Sequence, residues 1–93
     1  MFQVIKKDGE ITDFTLTKIS DAIMKAFLAA DMQYNDDMAD LLALRVTADF
    51  QDRVKENGIH TRDIQCSVEK VLKQAGYGEA AEAYMSRDLS LAI

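Results

Sequence analysis

The sequence predicts an α+β fold, an N-terminal β-hairpin packed on a bundle of about four α-helices. Three observations predict it. An Asp8-Gly9 pair flanked by β-branched and aromatic residues is a strong short hairpin signal. Apolar residues then recur at helical spacing in successive segments. Proline is absent, and Gly58, Gly76 and Gly78 fall between those segments rather than inside them.

Residues 2–14 form the hairpin, with Gly9 supplying the positive φ of a tight primed turn. Phe2, Val4 and Lys6 share one face at period two, as do Thr12 and Phe14 on the second arm. A two-stranded hairpin is marginal alone, so its apolar face needs a helical support. Thr17 is the expected N-cap of the first helix, with Asp21 in its first turn. Ile19, Ile23, Ala26, Phe27 and Ala30 make its one-sided stripe. Asn35 caps the second helix, where Met38, Leu41, Leu42, Leu44, Val46, Phe50 and Val54 form an apolar surface broad enough for a central helix. Asn57-Gly58 is the expected left-handed stop. Thr61 caps the third helix, whose stripe is Ile64, Val68, Val71, Leu72 and Ala75, and Gly76 closes it. The fourth helix runs from about Glu79, with Ala80, Ala81, Tyr84, Met85 and Leu89 inward.

The 93 residues read as one domain over 1–93, and 48% hydrophobic with 29% charged residues is a globular composition, not a disordered one. No apolar run approaches the roughly 18–20 residues of a membrane span, and no signal peptide is read at the N-terminus. The expectation is therefore no membrane partner. Cys66 stands alone, so an internal disulfide and a four-thiolate zinc site are both excluded. Disulfide-free chemistry fits a cytoplasmic setting. A net charge of −5 without a basic stripe argues against a nucleic-acid partner, yet leaves room for a small anion held by a few cations.

Enzyme signatures are missing: there is no P-loop, no dinucleotide fingerprint and no nucleophile beside His60, the one histidine. Cys66, between Ile64 and Val68, reads as a small residue at the core edge. No catalytic or metal residues are assigned. The polar feature that stands out is Lys6-Lys7 before the turn. Adjacent strand side chains point to opposite faces, so one lysine aims inward and the other stays outside. Protection of a strand edge is the plain explanation of such lysines.

The full spacing adds to this. Val4-Ile5-Lys6-Lys7-Asp8-Gly9, then Phe14, then Lys18-Ile19 resembles the opening of the ATP-cone family, the nucleotide-binding regulatory domain of ribonucleotide reductases. Thr61-Arg62-Asp63-Ile64-Gln65 with Val68-Glu69 and Leu72 resembles its third helix, and Gly76-Tyr77 with Ala81-x-x-Tyr84 its closing segment. The resemblance implies a regulatory domain without its own catalytic site, in which ATP or dATP, with Mg2+, is the effector. By position it implies that Lys6 and Lys7 contact phosphates, Lys18 adds a cation, and Ile19 packs on the base. Val4 and Thr12 then line the hairpin side of the pocket, and Thr61 and Gln65 complete it. The implied partners are an adenine nucleotide, a reductase catalytic domain or subunit, and a further copy in a homo-oligomer. Lys7 stands where the family usually has Arg, and of the family's Tyr-Arg-x-x-Arg ending only Arg87 is kept, out of register. A cone that has lost its nucleotide and serves as a protein-interaction module is the alternative.

Overall fold

The structure is a computed structural model that describes residues 2–86. Strands β1 (Gln3–Ile5) and β2 (Ile11–Asp13) form the expected hairpin, antiparallel with Val4 opposite Thr12 and Ile5 opposite Ile11. The connection is longer than a two-residue primed turn. Lys6 N–H donates to Glu10 O at 2.8 Å and Gly9 N–H to Lys6 O at 2.9 Å, so Lys7-Asp8-Gly9 is a three-residue loop. The Asp8 carboxylate accepts from the Glu10 amide at 2.9 Å, which fixes that geometry, and Gly9 takes a φ of 89°.

Helix α1 (Leu16–Ala29) is capped at Thr15, two residues before the expected cap Thr17. Phe14 N–H bonds to Phe2 O, and the Phe14 ring stacks on Phe2 at 4.5 Å while both meet Phe50 edge-on. That aromatic clamp ends the hairpin at once, so Thr15 becomes the N-cap and Asp21 falls beyond the first turn. Helix α2 (Asp36–Phe50) starts as expected, the Asn35 carboxamide accepting from Met38 N–H at 2.8 Å with Asp36 and Asp37 in the first turn.

The end of α2 differs from expectation. The helix stops at Phe50, and a 3-10 turn over Gln51–Arg53 follows. Asn57-Gly58 is not a helix cap: Lys55 and Gly58 exchange both backbone hydrogen bonds, and this turn delivers β3 (Ile59–His60). β3 pairs parallel to β1, Val4 with Ile59 and Ile5 with His60, giving a sheet of order β2-β1-β3. Gly58 is required there, because at φ 109° a Cβ would run into the Gln3 carbonyl of β1.

Helix α3 (Thr61–Gln74) leaves β3 directly, with His60 rather than Thr61 as its N-cap. Gly76, at φ 91°, closes it, and Tyr77 N–H reaches back to Leu72 O at 2.8 Å. Helix α4 (Gly78–Ser86) ends the described chain; the expectations for Arg87, Leu89 and Ser90–Ile93 lie outside the described residues. The helices pack in a ring, α1 on α2, α2 on α3, α3 on α4 and α4 on α1. Ile19, Ile23, Phe27, Val46, Phe50, Ile64, Val68, Leu72 and Tyr84 fill its centre, roofed by Val4 and Ile59. Helix α2 is thus one wall of the ring, with Leu42, Ala43 and Val46 inward and Leu41 and Leu44 in solvent. Among the described residues, no helix is long and apolar enough to cross a membrane.

Candidate functional site

The sheet has two unlike faces. Val4, Thr12 and Ile59 are level with one another in the register and look toward the helices, with Val4 and Ile59 buried. Ile5, Ile11 and His60, the next residues along each strand, look outward. One step further along the parallel register, half-buried Lys6 comes level with Thr61, the first residue of α3. Exposed Lys7, on the Ile5 side, begins the hairpin loop.

Between this end of β1 and the first turns of α3 lies a cleft of about 580 Å³, lined by Ile5, Lys7, His60, Thr61, Arg62, Asp63 and Gln65. Ile5 gives it an apolar wall, Lys7 and Arg62 give it positive charge, and Thr61 and Gln65 give it hydrogen-bonding groups one helical turn apart. Neither cation has an ion-pair partner among the described residues. The His60 side chain makes no cap hydrogen bond, so the first amides of α3 face the same space without a side-chain acceptor. An anion placed there meets two side-chain cations and the positive end of a helix dipole.

The structure thus brings together Lys7, Thr61 and Gln65 of the eight expected residues, with Lys6 next to them. It does not bring the other four to the cleft. Val4 and Ile19 are sealed in the core, Ile19 at 0% exposure, and present no surface to it. Thr12 sits beside Val4 on the inner face of the hairpin. Lys18 is exposed in the first turn of α1, a turn that holds no acidic residue and whose cap, Thr15, makes no side-chain hydrogen bond. Ile5, His60, Arg62 and Asp63 were missed. Period two along β1 already ties Ile5 to Lys7, whereas the other three become visible only once β3 is known to run into α3 beside β1.

Comparison with protein-family models decides what this arrangement belongs to: the ATP cone domain matches residues 2–88, nearly the whole chain. The chain belongs to the ATP-cone family. No curated protein matches it at a significant level. The ATP-cone match makes it a nucleotide-binding regulatory domain, and both the β1 end and the α3 start lie within the matched span.

The cone holds a second polar cluster, between α2 and α3. The Asp49 carboxylate accepts from Ser67 Oγ at 2.8 Å and from Arg53 Nη2 at 3.3 Å, and its other oxygen pairs with Lys70 Nζ at 3.0 Å. Arg53 also donates to the Ser67 hydroxyl, which is buried at 1% exposure. Burial by itself raises the Asp49 pKa, but the Ser67 hydrogen bond, Lys70 and Arg53 outweigh it and hold the carboxyl below its usual 3.8. Every member of this cluster is paired. Cys66, expected at the core edge, is exposed instead, because it points away from the stripe that α3 buries.

Proposed function

We propose that this ATP cone binds ATP or dATP, with Mg2+ carried on the triphosphate, in the cleft between the end of β1 and the start of α3. The observation that carries the reading is the cleft in which Lys7 and Arg62, without an ion-pair partner among the described residues, flank the open N-terminus of α3. In this reading Lys6 and Lys7 hold phosphates, Thr61 and Gln65 bond the nucleotide, and Lys18 adds charge from the start of α1. Val4, Thr12 and Ile19 form the inner apolar backing. The bound species then sets how residues 1–93, acting as one unit, pack against a ribonucleotide reductase catalytic domain or subunit, in the cytoplasm. That control requires ATP and dATP to differ in affinity for the two packing states.

Thermal unfolding with Mg2+ and ATP, dATP, GTP or no nucleotide tests this. A ligand at about 100 times its dissociation constant adds about 2.7 kcal/mol, several degrees for a domain of this size. The expected result is a shift with adenine nucleotides that Lys7→Ala, Lys6→Ala or Lys18→Ala reduces. Unshifted curves at millimolar nucleotide would reject the sensor and leave a cone that serves as an interaction module.

A further inference from the structure

His60 is the one histidine of the chain, and the fold sets it where three elements meet. It ends β3, it directly precedes α3, and it is level with Ile5 of β1 in the parallel register. Its backbone, at φ −75° and ψ 145°, is still extended while it serves as the N-cap of the helix. Side chains alternate along a strand, so buried Ile59 looks toward the helices and exposed His60 looks outward, into the cleft it lines.

Histidine is an unusual residue for that position. Helices favour Asn, Asp, Ser or Thr there, whose side-chain oxygen takes up one of the first amides. Asn35 does so for α2, accepting from Met38 N–H at 2.8 Å. His60 makes no such bond, and it is in no ion pair among the described residues. An Asp in its place would set a fixed negative charge where an incoming phosphate has to sit. The imidazole leaves the amides of α3 open and keeps its own ring nitrogens for the cleft.

The charged groups that line the cleft with His60 are Lys7 from the hairpin loop and Arg62 and Asp63 from α3, while Ile5 of β1 adds apolar surface. Two cations against one acid, beside the amino end of a helix, make these surroundings positive. A bound polyphosphate reverses that sign. A neutral imidazole offers a phosphate oxygen one N–H, and the protonated ring offers two with a full charge. An anion therefore binds more tightly to the form that carries the proton, and by linkage it draws a proton from solvent as it binds. Histidine is the side chain suited to this exchange between about pH 5 and pH 8.

We propose that His60 is a further phosphate-contacting residue of the nucleotide site, and that it takes up a proton as the polyphosphate enters. Nucleotide affinity is then greatest at the acid end of the histidine range and falls as pH rises through it. The proposal rests on the cleft being the nucleotide site. It adds to Lys6 and Lys7 a cation whose presence depends on pH.

Calorimetric titration of the chain with ATP and excess Mg2+, from about pH 6 to about pH 8, tests this. Two buffers of different ionisation enthalpy read proton uptake alongside affinity. Wild-type affinity should fall about fivefold across that range, with about half a proton taken up near its middle. His60→Gln keeps a donor but cannot take the charge, so its affinity should stay near the wild type's value at the alkaline end. Its unfolding temperature without nucleotide should be unchanged, since the exposed side chain makes no cap. Protons exchanged by the nucleotide itself are common to both proteins and drop out of the difference. ATP binding with the same pH profile in both proteins overturns the proposal and leaves the nucleotide site standing. A loss in His60→Gln that is equal at every pH also overturns it, because a group that acts by packing alone has no pH profile. Absence of ATP binding to the wild type across the range overturns the proposal and the nucleotide site together.

Discussion

Helix α3 serves two polar assemblies, and they are built on opposite terms. Around Asp49 one carboxylate takes up two cations and a buried hydroxyl, and nothing is left over. Around Thr61 and Gln65, Lys7 and Arg62 face a single acid, Asp63, and make no ion pair with it, while the helix amides above them lack a side-chain cap. A saturated cluster ties elements together, because removing any member strands the others. An unsaturated one, set in a cleft, leaves its strongest interactions to be completed by a ligand. The same contrast separates the starts of α2 and α3: Asn35, Asp36 and Asp37 answer the dipole of α2 from within the chain, and α3 has only Asp63.

The largest way to disturb the comparison is to move the cleft without touching either cluster. Gly58→Ala places a methyl group against the Gln3 carbonyl at a φ that L-residues rarely adopt. Relief requires β3 to leave β1, and the start of α3 leaves with it. A loss of about 3 kcal/mol or more in denaturant unfolding is expected, together with loss of any nucleotide-induced stabilisation. A loss below about 1 kcal/mol would show that the β1–β3 pairing does not hold the cleft.

Next in size is the saturated cluster. Asp49→Ala leaves the buried Ser67 hydroxyl without the acceptor of its proton and Arg53 and Lys70 without their acid, which should cost about 1–3 kcal/mol. Its pH dependence has a defined sign. The folded carboxyl is held below 3.8, so its contribution is complete above the ordinary carboxylate range and is lost as pH falls through 3.8 toward the lower folded value. The stability gap between wild type and Asp49→Ala should therefore narrow between about pH 5 and pH 2. Nucleotide affinity at neutral pH should be unchanged; a tenfold drop would mean that the two assemblies are coupled through α3.

These two regions were not equally legible in the sequence. Helical stripes such as Ile64, Val68, Val71 and Leu72 announce themselves because burial repeats every turn over many residues. Strand β3 does not, because two residues are too few for a period-two signal, and its pairing to β1 is set by Gly58 fitting under a distant backbone. Missing β3 hid His60, Arg62 and Asp63 as neighbours of Lys7. The breadth of the apolar surface on α2 was visible, but not its division: Leu42 and Val46 face the core, whereas Leu41 and Leu44 face water. Sequence spacing places side chains around a helix, and only the neighbouring α1 and α3 decide which part of that circle is covered. Lys6 and Lys7 both follow the last residue of β1, so strand alternation does not place them; Lys6 is half-buried and Lys7 is exposed in the loop.

The smallest expected effect sharpens the comparison at one atom group. Lys7 sits at the first position of the hairpin loop, exposed and in no ion pair among the described residues, where the family pattern has arginine. Lysine offers phosphate a point charge, and arginine offers the same charge with a planar fork that grips two oxygens. The site has room for the longer side chain because Lys7 borders open cleft rather than packed core. Lys7→Arg should then tighten ATP binding about three- to fivefold, less than ~1 kcal/mol, with no change in unfolding temperature when nucleotide is absent. The direction is the informative part. A charge that merely guards a strand edge gains nothing from the fork, so equal affinity in Lys7, Lys7→Arg and Lys7→Ala would move the phosphate site away from the hairpin loop and toward Lys18. Tighter binding in Lys7→Arg with weaker binding in Lys7→Ala requires the phosphate to lie within reach of this one side chain.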